Sequence, residues 1–358
     1  MKIAFLGDIA LVGRFDRCLS DKVDDRIELL SKKLKNFDYV IANLESPFTE
    51  LKSSLVCKSM HLRSSCVNVK TLKRLGVNAV SLANNHIFDF GKKGFKDTIH
   101  ILESNDIEWY GVANKSLFKC IDGENISISG FCCLSTNGVM YNKKGINTLT
   151  YRDVQKQLKH DKDLNALSIC SLHWGIEHTN YPSVEHISFA HKILKKNNII
   201  IHGHHPHVIQ GVERVHNGLV AYSLGNAIFD ETESINKKLK VDLEEDNRKS
   251  FILVVEIQNG KIIDYYTEGM YISNDGIIES YDISEELSEV SLGIKNGLKN
   301  KSVYNRKRME QYNNVIKRKF GNHDLKWVLS RVNYYAIGAK IMTYLHSNRY
   351  KKEKVSFY

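Results

Sequence analysis

The sequence predicts an α/β protein in which a layered body precedes a basic helical extension. Apolar, β-rich runs recur through residues 1–275, and helical patterns lie between many of them. Nearly continuous apolar runs are typical of strands buried on both faces, and strands that alternate with helices predict a layered body. Beyond this region the chain changes to helical segments rich in Lys, Arg, Asn and Tyr. We therefore expect a body over residues 1–275 and an extension over residues 276–358.

The predicted strands follow one another along the body, and two of the helices between them have clear ends. The segment "SVEHISFAHKILKK" has apolar residues on one helical face behind Ser183, a favoured N-cap residue. The segment "CVNVKTLKRLG" ends on Gly76, a typical helix stop. The predicted strands, in chain order, are "KIAFLG", "YVIANL", "VNAVSLA", "ISISGFCCL", "ALSICSLHW", "NIIIHG", "LVAYSLG" and "FILVVEI".

Composition limits the class of protein. With 358 residues, 42% of them hydrophobic, the chain can bury a substantial core. No window has the roughly 18 to 20 apolar residues that a membrane span requires. The apolar run at the N-terminus is short and contains Asp8, which favours a first strand over a signal peptide. Seven cysteines without a Cys-x-x-Cys spacing resemble reduced thiols. Together these features predict a cytoplasmic protein.

The positive charge is concentrated in the C-terminal segment. Residues 295–358 carry a local charge of +13 against +10 for the whole chain, so the remainder is near −3. No nucleic-acid-binding motif accompanies this charge, which makes nucleic acid an unlikely partner. The segment "SRVNYYAIGAKIMTYLHSNRYKKEK" mixes aromatic and basic residues and could dock on a membrane or a protein as an amphipathic helix. The plainer interpretation is a helix that closes the core and exposes a solvated basic face.

Potential metal ligands follow five of the predicted strands. Carboxyl ends of neighbouring strands converge, so side chains there can share one site. Singly, each has a simpler explanation: Asp forms turns, Asn caps helices and a lone His is usually structural. Their coincidence predicts a metal site, and oxygen and imidazole ligands without thiolates favour Mn, Fe or Zn. His202 and His204 are expected to be strand-end or supporting residues. The candidates are Asp8, Glu45, Asn85 with His86, His173, and His205 with His207.

Six motifs in order resemble the CapA, or poly-γ-glutamate synthesis protein, family. They are "GDIALVGR", "NLESPFT", "LGVNAVSLANNHIFDFGKKG", "HWGIEH", "GHHPHVIQGVE" and "AYSLGNAIFD". The resemblance runs from Met1 to about Ile272. It implies the calcineurin-like metallophosphatase fold, a sandwich of two mixed β-sheets flanked by helices. The resemblance does not reach the helical C-terminal extension.

The resemblance also implies roles for the candidate residues. His86 matches the histidine that contacts substrate and can protonate a leaving oxygen, and Glu45 matches the carboxylate that bridges two metals. His205 and His207 match a pair that supplies one histidine to each metal. The implied metal ligands are Asp8, Glu45, Asn85, His173, His205 and His207.

One departure concerns the number of metals. The superfamily begins with Asp-x-His, whereas Ala10 stands second after Asp8. The first position keeps Asp8, Glu45 and His207 but lacks one ligand, whereas the second retains Glu45, Asn85, His173 and His205. We therefore expect one or two divalent transition metals. The "GNHD" of residues 321–324 spells the superfamily's Asn-His motif more literally, but no strand precedes it, so "LANNHIFDFG" is preferred.

These features predict metal-assisted hydrolysis of an anionic ester, a phosphomonoester or phosphodiester, in capsule or poly-γ-glutamate-type polymer metabolism. His86 would act as an acid, and Asp89, three residues on, would orient it. The alternatives are an amide hydrolase or epimerase, or a non-catalytic factor that binds an anionic polymer during assembly. Arg14 could also be a solvated loop charge and Trp174 a core residue. The predicted substrate contacts are Arg14, Asn84, Trp174 and Glu177.

Overall fold

The computed structural model describes residues 1–133, 136, 145–234 and 240–320, and positions 335, 337, 338, 340, 341, 344 and 345. Its body consists of two large mixed β-sheets with helices packed on their outer faces. The predicted α/β architecture of two mixed sheets flanked by helices is therefore confirmed.

The strands of the described residues are numbered in chain order. They are β1 (Lys2–Ile9), β2 (Tyr39–Leu44), β3 (Ala79–Ser81), β4 (Glu108–Tyr110), β5 (Leu117–Ile121), β6 (Glu124–Cys132), β7 (Leu167–His173), β8 (Ile199–His204), β9 (Val212–Val215), β10 (Gly218–Ala221), β11 (Asn226–Ile228), β12 (Thr232–Glu233), β13 (Lys240–Val241), β14 (Lys249–Gln258), β15 (Lys261–Ile272) and β16 (Ile278–Ser280).

The α-helices are numbered in the same way. They are α1 (Val23–Arg26), α2 (Glu28–Leu34), α3 (Val69–Arg74), α4 (Gly91–Glu103), α5 (Tyr151–Asp163), α6 (Val184–Leu194), α7 (Ser284–Gly297) and α8 (Lys301–Phe320).

The order of the strands brings several carboxyl ends to one place. One sheet has the order β16-β15-β14-β1-β2-β3-β4, with β11 paired to β1, and the other has the order β5-β6-β7-β8-β10-β9. Strands β1 to β4 are parallel, as are β6, β7, β8 and β10. Loops that leave β1, β2 and β3 therefore share one edge, and β7 and β8 share an edge of the other sheet.

The core fills the space between the sheets and the space beneath the helices. Along β1, Ile3 and Phe5 belong to the apolar cluster between the sheets, whereas Ala4 and Leu6 belong to the cluster beneath the outer helices. This alternation follows from the two-residue period of a strand. A third cluster joins α5 and α6 to the second sheet. The layers are therefore helix, sheet, sheet and helix.

Each of the eight predicted strand runs overlaps a strand, and both helix ends agree with the sequence. Ser183 Oγ accepts the N–H of His186 at 3.2 Å as α6 begins. Gly76 follows α3 with a φ of +69°. Strand β16 pairs with β15 and extends the first sheet to Ser280, and the domain boundary at residue 275 stays a prediction. Helices α7 and α8 come after this strand.

Part of the predicted extension lies outside the described residues, including the "GNHD" of 321–324 and most of 330–354. Tyr335 donates a hydrogen bond to the Ser54 carbonyl at 2.8 Å. Ile337 and Ile341 are at least half exposed. Docking of this segment on a membrane or a protein stays a prediction. Within the described part of the chain, no helix is long and apolar enough to cross a membrane.

Candidate metal centre

The side chains predicted to bind metal lie together in a buried cluster where the strand ends converge. Glu45 Oε1 is 3.8 Å from His173 Nε2 and 3.7 Å from His207 Nε2. Asp8 Oδ2 is 3.4 Å from His207 Nδ1. Asn85 Oδ1 is 3.0 Å from His173 Nε2. Residues that are far apart along the chain thus present oxygen and nitrogen atoms to one another.

Two hydrogen bonds hold Asp8 in the cluster. Asn43, opposite Asp8 in the register of β1 and β2, donates from Nδ2 to Asp8 Oδ1 at 2.7 Å. The backbone N–H of His205 donates to Asp8 Oδ2 at 3.1 Å. The pairing of β1 shifts register at this point, so the strand bends where the ligand is presented.

The segment after β8 has an unusual backbone. His205 and His207, on either side of Pro206, have φ values of +103° and +58°. Non-glycine residues rarely adopt such values, and each costs on the order of 1–3 kcal/mol. The Pro206 carbonyl accepts the N–H of His178 at 2.7 Å, and the His207 carbonyl accepts from Asn247 Nδ2 at 2.9 Å. The fold thus imposes strain where two imidazoles are presented, as is common at functional sites.

His204 joins the cluster, although the sequence placed it among supporting residues. Its Nδ1 is 3.0 Å from His173 Nδ1, and its Nε2 has no hydrogen-bond partner among the described residues. His202, two residues earlier on the same face of β8, uses both ring nitrogens, on Ser171 Oγ at 3.0 Å and the Leu6 carbonyl at 2.7 Å. The period of the strand could have indicated His204, since it shares a face with His202.

The ligand atoms fall into two groups, in each of which they lie within 4.8 Å of one another. This grouping differs from the predicted division, in which Asp8 shared a position with Glu45 and His207. The difference arises because the end of β8 adds an imidazole beside Asp8. The groups are Asp8, His173 and His204, and Glu45, His205 and His207.

Several buried polar atoms of the cluster lack a hydrogen-bond partner in the described residues. They are both carboxylate oxygens of Glu45, Nε2 of His204 and Nδ1 of His205. Buried polar atoms are almost always paired, and an unpaired one costs about 1–3 kcal/mol. Carboxylates, an amide oxygen and imidazoles are ligands that suit Mn, Fe or Zn. The residues present therefore fit a divalent cation.

Burial prepares three of the imidazoles to bind a cation, whereas the carboxylates Glu45 and Asp8 raise the pKa of the fourth, His207, to about 9 against the effect of desolvation. Desolvation holds the pKa of His173 and of His204 well below the usual range, and it lowers the pKa of His205 to about 3. These rings are neutral at pH 7, which is the form that ligates metals. Desolvation also raises the pKa of Asp8 and of Glu45. A bound cation would favour the ionised form of both carboxylates.

Ala10 occupies the position at which the superfamily has a histidine. It is fully buried and packs in an apolar cluster with Val12, Leu62 and Phe229. This position therefore lies in core packing and supplies no ligand.

His86 and Asp89 form a buried pair beside the cluster. His86 Nδ1 is 2.6 Å from Asp89 Oδ2, which also accepts the backbone N–H of Leu62 at 2.7 Å. Desolvation lowers the pKa of His86, although the charge of Asp89 opposes this change. Lys58, which the sequence did not single out, donates to Asp89 Oδ1 at 2.9 Å. Its loop has no regular structure and no motif, so no pattern marked it.

Two predicted substrate contacts, Asn84 and Trp174, are buried, and substrate binding by them stays a prediction. Asn84 is fully buried; its Nδ2 donates to the Leu44 carbonyl at 2.8 Å, and its Oδ1 accepts the N–H of His86 at 3.1 Å. Trp174 is also buried, and its Nε1 donates to the Tyr222 carbonyl at 2.9 Å. Because their polar atoms are bonded within the protein, Asn84 shapes the ligand loop and Trp174 packs in the core.

The other two predicted substrate contacts lie in different settings. Arg14 donates to both carboxylate oxygens of buried Asp230, at 2.6 Å from Nη2 and 3.0 Å from Nε, so its charge is balanced. The side chain of Glu177 is 51% exposed, with a carboxylate oxygen 3.8 Å from His178 Nε2. Substrate binding by Arg14 and Glu177 stays a prediction.

Comparison with known proteins gives consistent matches over most of the body. The family described as bacterial capsule synthesis protein PGA_cap matches residues 2–231. The capsule biosynthesis protein CapA of Bacillus anthracis is 32% identical over 248 residues, which cover 64% of this chain and 60% of that protein. The PGA biosynthesis protein CapA of Bacillus subtilis is 27% identical over 243 residues, or 64% of each.

This chain thus spans less than two thirds of the length of these relatives. Among solved structures, a 5'-nucleotidase precursor from Thermus thermophilus is 14% identical with a TM-score of 0.46. That match covers 87% of this chain and 59% of the other.

Proposed function

This chain belongs to the bacterial capsule synthesis protein family PGA_cap, and we propose that it is a metal-dependent hydrolase. Its substrate would be a phosphoester or a related anionic compound in capsule or poly-γ-glutamate-type polymer metabolism. The observation that carries the proposal is the set of unpartnered buried atoms on Glu45, His204 and His205. Cations bound in the two ligand groups would satisfy these atoms.

The ligands of one or two divalent ions, Mn, Fe or Zn, would come from the two groups of the cluster, with Asn85 Oδ1 beside His173. Such an ion polarises an ester oxygen and makes water a stronger nucleophile at neutral pH. The protein holds its ligands in place beforehand, through the two hydrogen bonds to Asp8 and the bent segment around Pro206.

The His86–Asp89 pair would carry out proton transfer to the leaving group. Because Nδ1 of His86 bonds Asp89, Nε2 is the nitrogen that can carry a proton toward a leaving oxygen. The neutral ring carries its proton on Nδ1, so Nε2 must first take up a second proton. Because burial lowers the pKa of His86, the imidazolium formed in this way gives that proton up readily. The buried carboxylate keeps the ring in one orientation during this transfer.

The experiment is a hydrolysis assay on tag-free protein reconstituted with Mn²⁺, Fe²⁺ or Zn²⁺, with p-nitrophenyl phosphate and bis(p-nitrophenyl) phosphate as probes. We expect turnover with at least one ion, and a loss of about 10²- to 10³-fold in kcat for His86→Ala at unchanged metal content. His160→Ala, at an exposed position of α5, is the matched control and should behave as wild type.

Two results would contradict the proposal. Turnover in His86→Ala equal to that of the control would remove the proton-transfer role. Absence of hydrolysis of either probe by the metal-loaded protein would overturn phosphoester hydrolysis.

A further inference from the structure

Lys58 is a buried cation on the irregular loop between β2 and α3. The residue is 8% exposed, and its Nζ donates to the Asn85 carbonyl at 2.6 Å and to Asp89 Oδ1 at 2.9 Å. The same Nζ lies 3.0 Å from His86 Nδ1. One ammonium thus contacts three residues of the segment that carries the predicted ligand Asn85 and the predicted acid His86.

Burial of an ammonium needs compensation, and Asp89 provides it. The Asp89 side chain is fully buried, and that of Lys58 is 10% exposed. Removing one partner from a buried ion pair leaves an uncompensated charge, which is strongly unfavourable. Lys58 therefore determines where the Asp89 carboxylate can lie.

The position of Asp89 in turn determines the orientation of His86. The neutral imidazole has one hydrogen-bonding site at Nδ1, which either donates to Asp89 or accepts from Lys58. The contact with Asp89 is shorter, 2.6 Å against 3.0 Å, and favours donation. With Oδ1 occupied by Lys58 and Oδ2 shared with the Leu62 N–H, the carboxylate has little freedom to turn.

The loop that carries Lys58 is itself fastened around this segment. Ser54 Oγ donates to the Asp89 carbonyl at 2.5 Å and accepts the N–H of Val56 at 3.0 Å. His61 Nε2 lies 2.9 Å from the Val56 carbonyl. These contacts bring the loop against Asp89 on both sides of Lys58, so its ammonium is held where it meets the acid pair.

We propose that Lys58 is a positioning residue for the reaction at this centre, which holds Asp89 and the Asn85–His86 backbone so that His86 keeps its Nδ1 bond to Asp89. The inference rests on the proposed function for its catalytic consequence. Its geometric part concerns the protein without substrate and is measured independently.

The test compares Lys58→Met, which keeps the apolar stem and removes the charge, with Lys58→Arg, which keeps the charge. Lys93→Met is the control, because Lys93 forms an exposed pair with Asp97 on α4. The first readout is the proton-bearing nitrogen of His86, observed by NMR of ¹⁵N-histidine-labelled, Zn²⁺-exchanged protein and assigned with His86→Gln. The second is the split between kcat and KM for bis(p-nitrophenyl) phosphate.

For Lys58→Met we expect an altered His86 nitrogen pattern and a loss of about 10- to 100-fold in kcat, with KM within about two-fold and metal content retained. Lys58→Arg should recover part of both readouts, and Lys93→Met should match wild type. A wild-type His86 spectrum together with wild-type kcat in Lys58→Met would overturn the proposal.

Two further outcomes are separable. If the wild-type protein hydrolyses no probe, the proposed function fails, and the NMR readout alone decides the role of Lys58. If Lys58→Met does not fold, Lys58→Gln, which keeps an N–H donor on a shorter chain, replaces it. Wild-type values in Lys58→Gln for both readouts would then overturn the proposal.

Discussion

Two fully buried carboxylates in this protein have opposite surroundings. Asp161, on α5, accepts hydrogen bonds from Ser127 Oγ, Ser168 Oγ and Gln157 Nε2, each at 2.7 Å. Glu45, after β2, accepts none from the residues that the structure describes. A carboxylate whose hydrogen bonds are satisfied is part of the framework, whereas one without hydrogen-bond donors, beside several imidazoles, is prepared for a ligand. The comparison separates structural from functional burial without reference to motifs.

The largest expected effect is on metal content. Glu45→Gln should lower bound metal at least about ten-fold, because it removes an ionised ligand and keeps the side chain's size. In EDTA, the variant should be at least as stable as wild type, since a buried, unpaired carboxylate is unfavourable. Plasma mass spectrometry and thermal melts measure these two properties. If Glu45→Gln retained its metal, or were markedly destabilised in EDTA, Glu45 would be a structural carboxylate like Asp161 and not a metal ligand.

For Asp161, whose carboxylate is fully hydrogen-bonded, we expect a substitution to change stability and not metal content. Asp161→Asn should lower the free energy of unfolding by about 1–3 kcal/mol, because the new amide nitrogen cannot accept from the hydroxyls that face it. Metal content should not change. Asp163→Asn, at an exposed position of the same helix, is the control for urea unfolding. A loss of metal in Asp161→Asn without loss of stability would contradict the comparison.

The smallest expected effect is a pH dependence of stability that arises from His202, a buried histidine whose two ring nitrogens both have hydrogen-bond partners. Burial lowers the pKa of His202 to about 4, although its hydrogen bond to the Leu6 carbonyl opposes the shift. Below about pH 6.5 His202 is protonated in the unfolded chain but not in the folded protein. The free energy of unfolding therefore decreases as the pH falls toward 4. Between pH 7.5 and 5.5 this group should account for about 1 kcal/mol.

The measurement is the free energy of unfolding of metal-free protein at those two pH values, for wild type and His202→Asn. The variant should lose less stability on acidification than wild type does. An equal loss in both proteins would show that His202 titrates normally in the fold.

Much of this architecture could be predicted because its signals are local. Buried strands require apolar runs, and residues that follow those runs must meet where parallel strands end, which is why Asp8, Glu45 and His173 could be selected from the sequence. Lys58 could not be selected from the sequence, because its hydrogen-bond partners lie 27 to 31 residues away along the chain and its loop has no periodic pattern. The sequence also did not show that the polar atoms of Asn84 are bonded within the protein, because a motif does not distinguish two adjacent asparagines.

One strand near the end of the body, β15, could not be predicted for a related reason. Strand β15 mixes exposed, half-buried and a few buried residues, and several of them are charged, so it lacks the apolar run that marked the eight predicted strands. Its long antiparallel pairing with β14, which spans Lys249 to Gln258, depends on a hairpin partner rather than on its own pattern.

The central claim, that the unsatisfied cluster binds metal, is tested most directly by metal content per chain in protein purified without a metal-affinity tag. We expect one or two equivalents of Mn, Fe or Zn in wild type and in His160→Ala, and a large loss in His205→Ala. Absence of metal from wild type even after reconstitution with these ions would contradict the claim and leave a binding or assembly role for this fold.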